Sequence, residues 1–155
     1  MFAVLGDPAI YEYENAPPAS LEWLRERFTK LESRRSRDGS EQWLNWVLRQ
    51  HGGGLIGYVQ ATLRADASAL VAYELSSAYW GRGLGREAVA AMIDELHSQY
   101  GVHMLLAIFK RANARSRRLL EALDFKAAGA DMPGASLDAD EELMQRRLAA
   151  TVAPR

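Results

Sequence analysis

The chain has 155 residues, 48% of them hydrophobic and 25% charged, and 19 Lys and Arg against 20 Asp and Glu leave a formal net charge of -1. A chain of this length buries about 68–70% of the surface its unfolded form exposes, so a single globular domain over residues 1–155 is expected without disulfides or a structural metal. The absence of cysteine excludes thiolate nucleophiles and thiolate zinc sites, near-neutral charge argues against a general nucleic-acid coat, and no run approaches the ~20 apolar residues that span a bilayer.

The opening MFAVLGDPAIYEYE turns acidic where a secretory signal carries basic residues, so a cytoplasmic location is expected. Residues 1–12 can form a short helix. Pro17 and Pro18 then break the chain, and Ser20 is placed to cap a second helix, LEWLRERFTKLESRR, with Leu21, Leu24, Phe28 and Leu31 as its apolar stripe. A polar connection through Arg34, Arg35, Arg37, Asp38 and Gly39 leads to WLNWVLRQ, where Leu44, Trp46 and Leu48 alternate on one face as in a strand. Gly52, Gly53 and Gly54 predict a hairpin turn. LIGYVQATLR and ALVAYELS, joined by a polar turn from Asp66 to Ser68, extend the strand into an antiparallel meander.

A helix is predicted from about Gly83 to Tyr100, with Val89, Met92, Ile93, Leu96 and Tyr100 on one buried face. VHMLLAIF reads as a central strand, and RANARSRRLLEALDF as a capped helix and turn. Strand, glycine turn, helix and strand make a βαβ crossover. The tail supplies a short strand after Phe125, an acidic loop with Asp131, Asp138 and Asp140, and a final alternating segment, ELMQRRL. The predicted class is α+β, with a mixed, mostly antiparallel central sheet flanked by helices.

The stretch ELSSAYWGRGLGRE, Glu74 to Glu87, carries the chemistry: a strand runs into Gly81, Gly83 and Gly85 just before a helix. Glycine lets backbone approach a ligand, and the first helical turn offers unpaired N–H groups and a positive dipole end, which suit a diphosphate. Arg82 and Arg86 add full charge. There is no Gly-Lys-Ser/Thr of a P-loop, and Arg86 stands where a GxGxxG fingerprint needs glycine. A tight strand-to-helix connection alone would also account for the glycines. Further on, KRANARSRR holds five basic residues among the nine from Lys110 to Arg118, and the crossover brings this segment to the same rim of the sheet. The expected ligand therefore carries several phosphates.

Trp80-Gly81-Arg82-Gly83-Leu84-Gly85 resembles the pyrophosphate motif of the GNAT family of acyl-CoA-dependent N-acyltransferases except at its first position, and Asn113, Ser116 and Leu123-Asp124-Phe125 resemble the second motif, Asn-x-x-Ser with Leu-Gly-Phe. The resemblance covers nearly the whole chain, and its Trp-Gly looks like the branch that acetylates ribosomal-protein N-termini. It implies acetyl-CoA as co-substrate, with no metal. It also implies that Leu75 and Ser77 pair with pantetheine, that Arg82, Gly83, Leu84, Gly85 and Arg86 hold the pyrophosphate, that Asn113 touches the pantetheine arm, and that N–H groups near Leu75 and Ser76 meet the developing oxyanion. Asp124 replaces a helix-terminating glycine. Leu120 stands where many relatives place the Tyr that protonates the leaving thiolate, which leaves Ser116, a helix-cap hydroxyl on the other reading, or water beside the sulfur. The family's first strand is expected to be missing at the N-terminus, leaving an edge that a second copy can cover as a homodimer.

Transfer needs a neutral amine. An ammonium of pKa ~10.4 is neutral in only one part in ~2500 at pH 7, whereas an α-amine of pKa ~7.7–8.0 is about ten to twenty per cent neutral. Glu74, on the strand face of Leu70 and Ala72, is the candidate base; an exposed glutamate paired with arginine is the alternative. Trp43, Trp46, Tyr11 and Tyr13 either wall an acceptor pocket or belong to the core. His51, His97 and His103 lack metal-ligand spacing. The expected function is N-acetylation of a primary amine, foremost a peptide N-terminus of the ribosomal-protein alanine type. The alternatives are a small amine such as an antibiotic or polyamine, and a non-catalytic CoA-binding module. RNA binding by the 110–118 cluster is the weakest reading, and no membrane partner is expected.

Overall fold

Alternating apolar residues between positions 42 and 75 build three antiparallel strands: β1 (Gln42–Arg49), β2 (Leu55–Leu63) and β3 (Ser68–Leu75). The computed structural model describes residues 1–13, 15–129 and 136–149, so Asp131 of the predicted acidic loop lies outside the described residues. Before the strands come the short helix α1 (Phe2–Leu5), a 3-10 turn (Pro8–Tyr11) and α2 (Leu21–Leu31). After them come a second 3-10 turn (Ser77–Tyr79), α3 (Leu84–Tyr100), β4 (Met104–Lys110), α4 (Ala114–Glu121), β5 (Lys126–Ala127) and β6 (Glu141–Arg147). The strands form one six-stranded sheet in the order β1-β2-β3-β4-β6-β5, and only β3 and β4 run parallel. The α+β class with its mostly antiparallel sheet is thus the observed one, and no helix among the described residues is long and apolar enough to cross a membrane.

One sheet face carries the main core. Leu44, Val59, Val71, Leu105, Ala107 and Phe109 pack against Val89, Met92, Ile93 and Leu96 of α3 and Leu120 of α4. Leu5, Leu24 and Ile56 are buried outside that cluster, where α1 contacts β2 on the other face. The apolar stripe expected on α2 is buried only in part. Of Leu21, Leu24, Phe28 and Leu31 only Leu24 is buried, while Leu21 and Phe28 are exposed. The physical reason is that α2 walls a cleft with Trp23, Leu24 and Arg27 and rests on the rest of the protein along a narrow edge.

The central joint is short. β3 and β4 pair only at Ser68↔Met104, Ala69↔Leu105 and Leu70↔Leu106. Beyond Leu70, β3 stays on β2 as far as Gly57↔Leu75, and β4 stays on β6 as far as Lys110↔Glu141, so the sheet forks. Ladder alternation shows what faces the fork. Ser76 N–H reaches Ile56 C=O and Arg64 N–H reaches Ser68 C=O, which turns the N–H and C=O of Tyr73 and Leu75 away from β2. Arg111 N–H on Asp140 C=O and Leu148 N–H on His103 C=O likewise turn Ile108 toward the fork.

Asp124 ends α4 in the left-handed region, with φ 62. Phe125 N–H closes the end on Leu120 C=O at 3.0 Å, the bond of a Schellman cap, and Phe125 and Leu120 are both buried. A β-carbon in that conformation costs about 1–2 kcal/mol that glycine avoids. Asp124→Gly is expected to stabilise the protein by about 1 kcal/mol, read as a rise in Tm of roughly 2–4 °C.

Candidate active site

The glycine turn meets the fork from its open side. Gly81 and Gly83 have φ of +69 and +79, and a β-carbon on either would meet nothing within 4 Å, so their glycines serve backbone conformation. Gly83 is the N-cap of α3, and Glu87 N–H makes the first intrahelical bond to Gly83 C=O at 3.0 Å. The N–H groups of Leu84, Gly85 and Arg86 precede that bond and point along the helix axis. At Gly85 a β-carbon would lie 3.1 Å from Leu119 Cδ1, so its smallness also lets α3 pack on α4. The Arg82 guanidinium stacks 5.5 Å from the Tyr79 ring centroid.

A cleft of about 1250 Å³ runs through the fork and reaches both sheet faces. Gly83, Gly85, Arg86 and Arg118 line one end, Leu75, Ile108, Asn113 and Ser116 its middle, and Tyr11, Trp23, Arg27, Tyr58 and Glu74 the other end. Asn113 Oδ1 caps α4 by accepting Ser116 N–H at 3.1 Å. Glu74 stands opposite Tyr58 in the β2–β3 register. Burial pushes the hydroxyls of Tyr58 and Tyr11 above their ordinary pKa, and the Glu74 charge adds to both shifts while Arg27 opposes them. Tyr11 and Tyr13 do line the cleft. Trp46 packs against the core instead, and the Trp43 indole donates to Glu41 at 3.3 Å.

Two backbone expectations are corrected. Ser76 N–H is donated to Ile56 C=O at 2.9 Å, and Ser77 N–H to Asp7 Oδ2 at 2.7 Å, so both are engaged within the chain. These bonds, the Ser77 side-chain contact foremost, hold the Asp7 carboxyl below its ordinary pKa. Leu75 is left with its N–H facing the fork, while its carbonyl accepts the Trp80 indole N–H at 2.8 Å. Trp80 is therefore a brace on the strand end. Its other face stacks on Arg115 at 3.9 Å, and Arg115 pairs with Glu12 at 2.9 Å.

The basic cluster is also partly spent. Lys110 contacts Asp140 at 2.9 Å and Glu141 at 3.3 Å, which raises its pKa, and Arg117 forms a two-pronged pair with Glu142. The expected solvated acidic loop thus neutralises part of the cluster, because the β4–β6 register sets Lys110 opposite Glu141 and Phe109 opposite Glu142. Sequence reasoning missed Asp7, Tyr58 and Tyr73. Strand parity alone puts Tyr73 on the face opposite Glu74, where its hydroxyl lies 3.5 Å from Ser116 C=O and burial pushes its pKa up to about 12.

A forked sheet with a glycine-led helix N-terminus at its open end suits a ligand with an extended amide-bearing arm and an anionic end. The family model for the acetyltransferase (GNAT) domain matches residues 1–126, and the chain belongs to that family. Among solved structures, it is similar to a spermidine N-acetyltransferase from Vibrio cholerae in complex with CoA and spermine, at 18% identity and TM-score 0.74, over 94% of this chain and 86% of the other. A ribosomal-protein-alanine N-acetyltransferase from Brucella melitensis matches at 26% identity and TM-score 0.66, over 95% and 91%. A GNAT-family acetyltransferase from Bacillus anthracis matches at 15% identity and TM-score 0.70, over 95% and 86%. A search of curated protein sequences found no match. The protein is an acetyltransferase, and acetyl-CoA is its co-substrate.

Gly57 guards the strand end. A β-carbon there would sit 2.1 Å from Glu74 C=O and 3.0 Å from Leu75 Cα, so any side chain must push the end of β3 aside. Gly57→Ala is expected to destabilise by about 1–3 kcal/mol in denaturant titration, as overpacking does. Its kcat should fall further than its acetyl-CoA affinity, because the glycine turn is untouched.

Proposed function

We propose that the enzyme acetylates the N-terminal amine of a peptide or protein, of the ribosomal-protein alanine type. The observation that carries this reading is the charge of the cleft: among its described lining residues Glu74 is the one acid, against Arg27, Arg86, Arg115 and Arg118. A polyamine that surrenders one proton still brings further ammonium groups, and the acceptor end sets Arg27 against them and offers them Glu74 alone among the described lining acids. A peptide N-terminus brings one ionisable amine, which is already about ten to twenty per cent neutral at pH 7. The rest of its chain is well served by the aromatic and apolar rim of Tyr11, Tyr13, Pro17, Pro18 and Trp23. The 26% identity to the Brucella melitensis structure, named for ribosomal-protein alanine, supports the same reading.

In this reading Glu74 removes the amine proton, directly or through water, and Leu75 N–H meets the thioester oxygen as charge develops there. The first-turn amides of Leu84, Gly85 and Arg86, with Arg82 beside Gly83, hold the pyrophosphate. Asn113 and Ser116 border the pantetheine arm and its sulfur. Ser76 and Ser77 carry the chain from strand to turn, with Asp7 as their anchor.

A polyamine acceptor is the second reading, favoured by the TM-score of 0.74 to the Vibrio cholerae enzyme. A thiol-release assay over alanine-starting peptides, spermidine, spermine and an aminoglycoside separates the two. Peptides are expected to give at least a tenfold higher kcat/KM than spermidine, and the reverse ranking overturns the peptide reading. Binding of acetyl-CoA with no acceptor-dependent thiol would instead mark a non-catalytic module. Glu74→Gln is expected to lower kcat by about 10²–10⁴-fold while the calorimetric Kd for acetyl-CoA stays the same. Unchanged turnover would remove Glu74 from the chemistry.

A further inference from the structure

We propose that the Tyr73 hydroxyl is a catalytic hydrogen-bond donor to the coenzyme A sulfur, filling the role that Leu120 leaves vacant. The inference rests on the coenzyme site proposed above, though not on the identity of the acceptor. Leu120 is 1% exposed and locked in the core, so α4 offers no phenol at that position. β3 offers one from the facing wall. Three consecutive residues at the fork point in three directions: Tyr73 toward α4, Glu74 toward the opposite sheet face, and the Leu75 N–H into the gap between the strands.

The Tyr73 hydroxyl is poorly satisfied where it sits. Its bond to Ser116 C=O is 3.5 Å long, the outer limit for a hydroxyl donor. That carbonyl also lies in the first turn of α4, where Leu120 N–H is its regular helical donor. A half-buried hydroxyl with so long a bond, on the wall of a cleft, is a donor in reserve. Asn113 and Ser116 stand at the same helix start, so a sulfur lying beside them comes within reach of the ring's oxygen.

The step balances without a proton from tyrosine. The neutral amine attacks the thioester carbon, the nitrogen gives its extra proton to Glu74, and the tetrahedral oxyanion rests on Leu75 N–H. The C–S bond then breaks, its electron pair goes to sulfur, and Tyr73 O–H donates a hydrogen bond to the nascent thiolate. The coenzyme leaves as thiolate and takes its proton from solvent. Burial keeps Tyr73 protonated at neutral pH, with a pKa of about 12. That lies above an ordinary thiol at ~8.5, so the hydroxyl donates a bond and keeps its proton.

Tyr73→Phe removes one oxygen and leaves the ring. Its kcat is expected to fall about 10–100-fold, short of the loss on removing an oxyanion donor, with Tm and the acetyl-CoA Kd unchanged. A packing role would not move the ionisation of bound product, so the deciding readout is the thiol titration of bound coenzyme A, followed by thiolate ultraviolet absorbance. In the Tyr73→Phe complex that titration is expected about one pH unit higher, a tenfold loss of thiolate stabilisation. If instead Ser116→Ala moves the titration and Tyr73→Phe does not, serine is the donor and the proposal falls. Intact binding with neither titration nor kcat altered removes the Tyr73 role alone. A protein that binds no coenzyme A removes the site and this role together.

Discussion

β3 and β4 share three residue pairs and then separate, while each remains laddered on its outer side. That constraint decides most of what this protein can do. Backbone N–H and C=O groups in a protein interior need partners, and the edges of the fork present a short row of them to whatever enters. An extended amide-bearing chain such as pantetheine meets that need as an added strand would, by the same physics that attaches peptides to sheet edges. A fork that stayed closed would have no ligand, and one that opened further would lose the alignment of Leu75, Ile108 and the helix N-terminus beyond.

The two arms are held by different means. On the β3 side, Trp80 donates to the Leu75 carbonyl, Asp7 accepts from Ser77, and Arg115 stacks on Trp80 while pairing with Glu12. Two distant segments, residues 7–12 and the first turn of α4, thereby converge on the end of one strand. On the β4 side, Lys110 and Arg117 lean on acids from the start of β6. Ion pairs near a protein surface contribute little to stability. Their consequence lies in direction: they spend two cations of the 110–118 cluster on holding the fork and leave Arg118 in the cleft. Among the described residues of the cleft, Arg27, Arg86, Arg115 and Arg118 then stand with one carboxylate, Glu74.

Local signals carried far. The strand periods, the cap at Ser20 and the left-handed turn that Asp124 tolerates all depend on neighbours within a few residues, and they stand in the structure as the chain order implies, whereas the cap of α4 is Asn113 and not the Ser116 hydroxyl. The readings that needed correction share a cause. An apolar stripe on α2 does not say how much of it is buried, and a helix that walls a cleft leaves part of its stripe exposed. Gly85 has a neighbour, Leu119, that is distant in sequence and that spacing does not reveal. Ser76 and Ser77 looked available because their partners, Ile56 and Asp7, come from elsewhere in the chain.

The sequence by itself determined the elements, their order, the crossover and the glycine-led helix start, because backbone dihedral preferences and hydrophobic period act over a few residues. Tertiary structure alone decided which amides face the fork, which cations remain in the cleft, and that the Tyr73 hydroxyl reaches the first turn of α4. Those are properties of register and of packing between strands and helices far apart in the chain, and no local pattern encodes which side of a strand will find a partner.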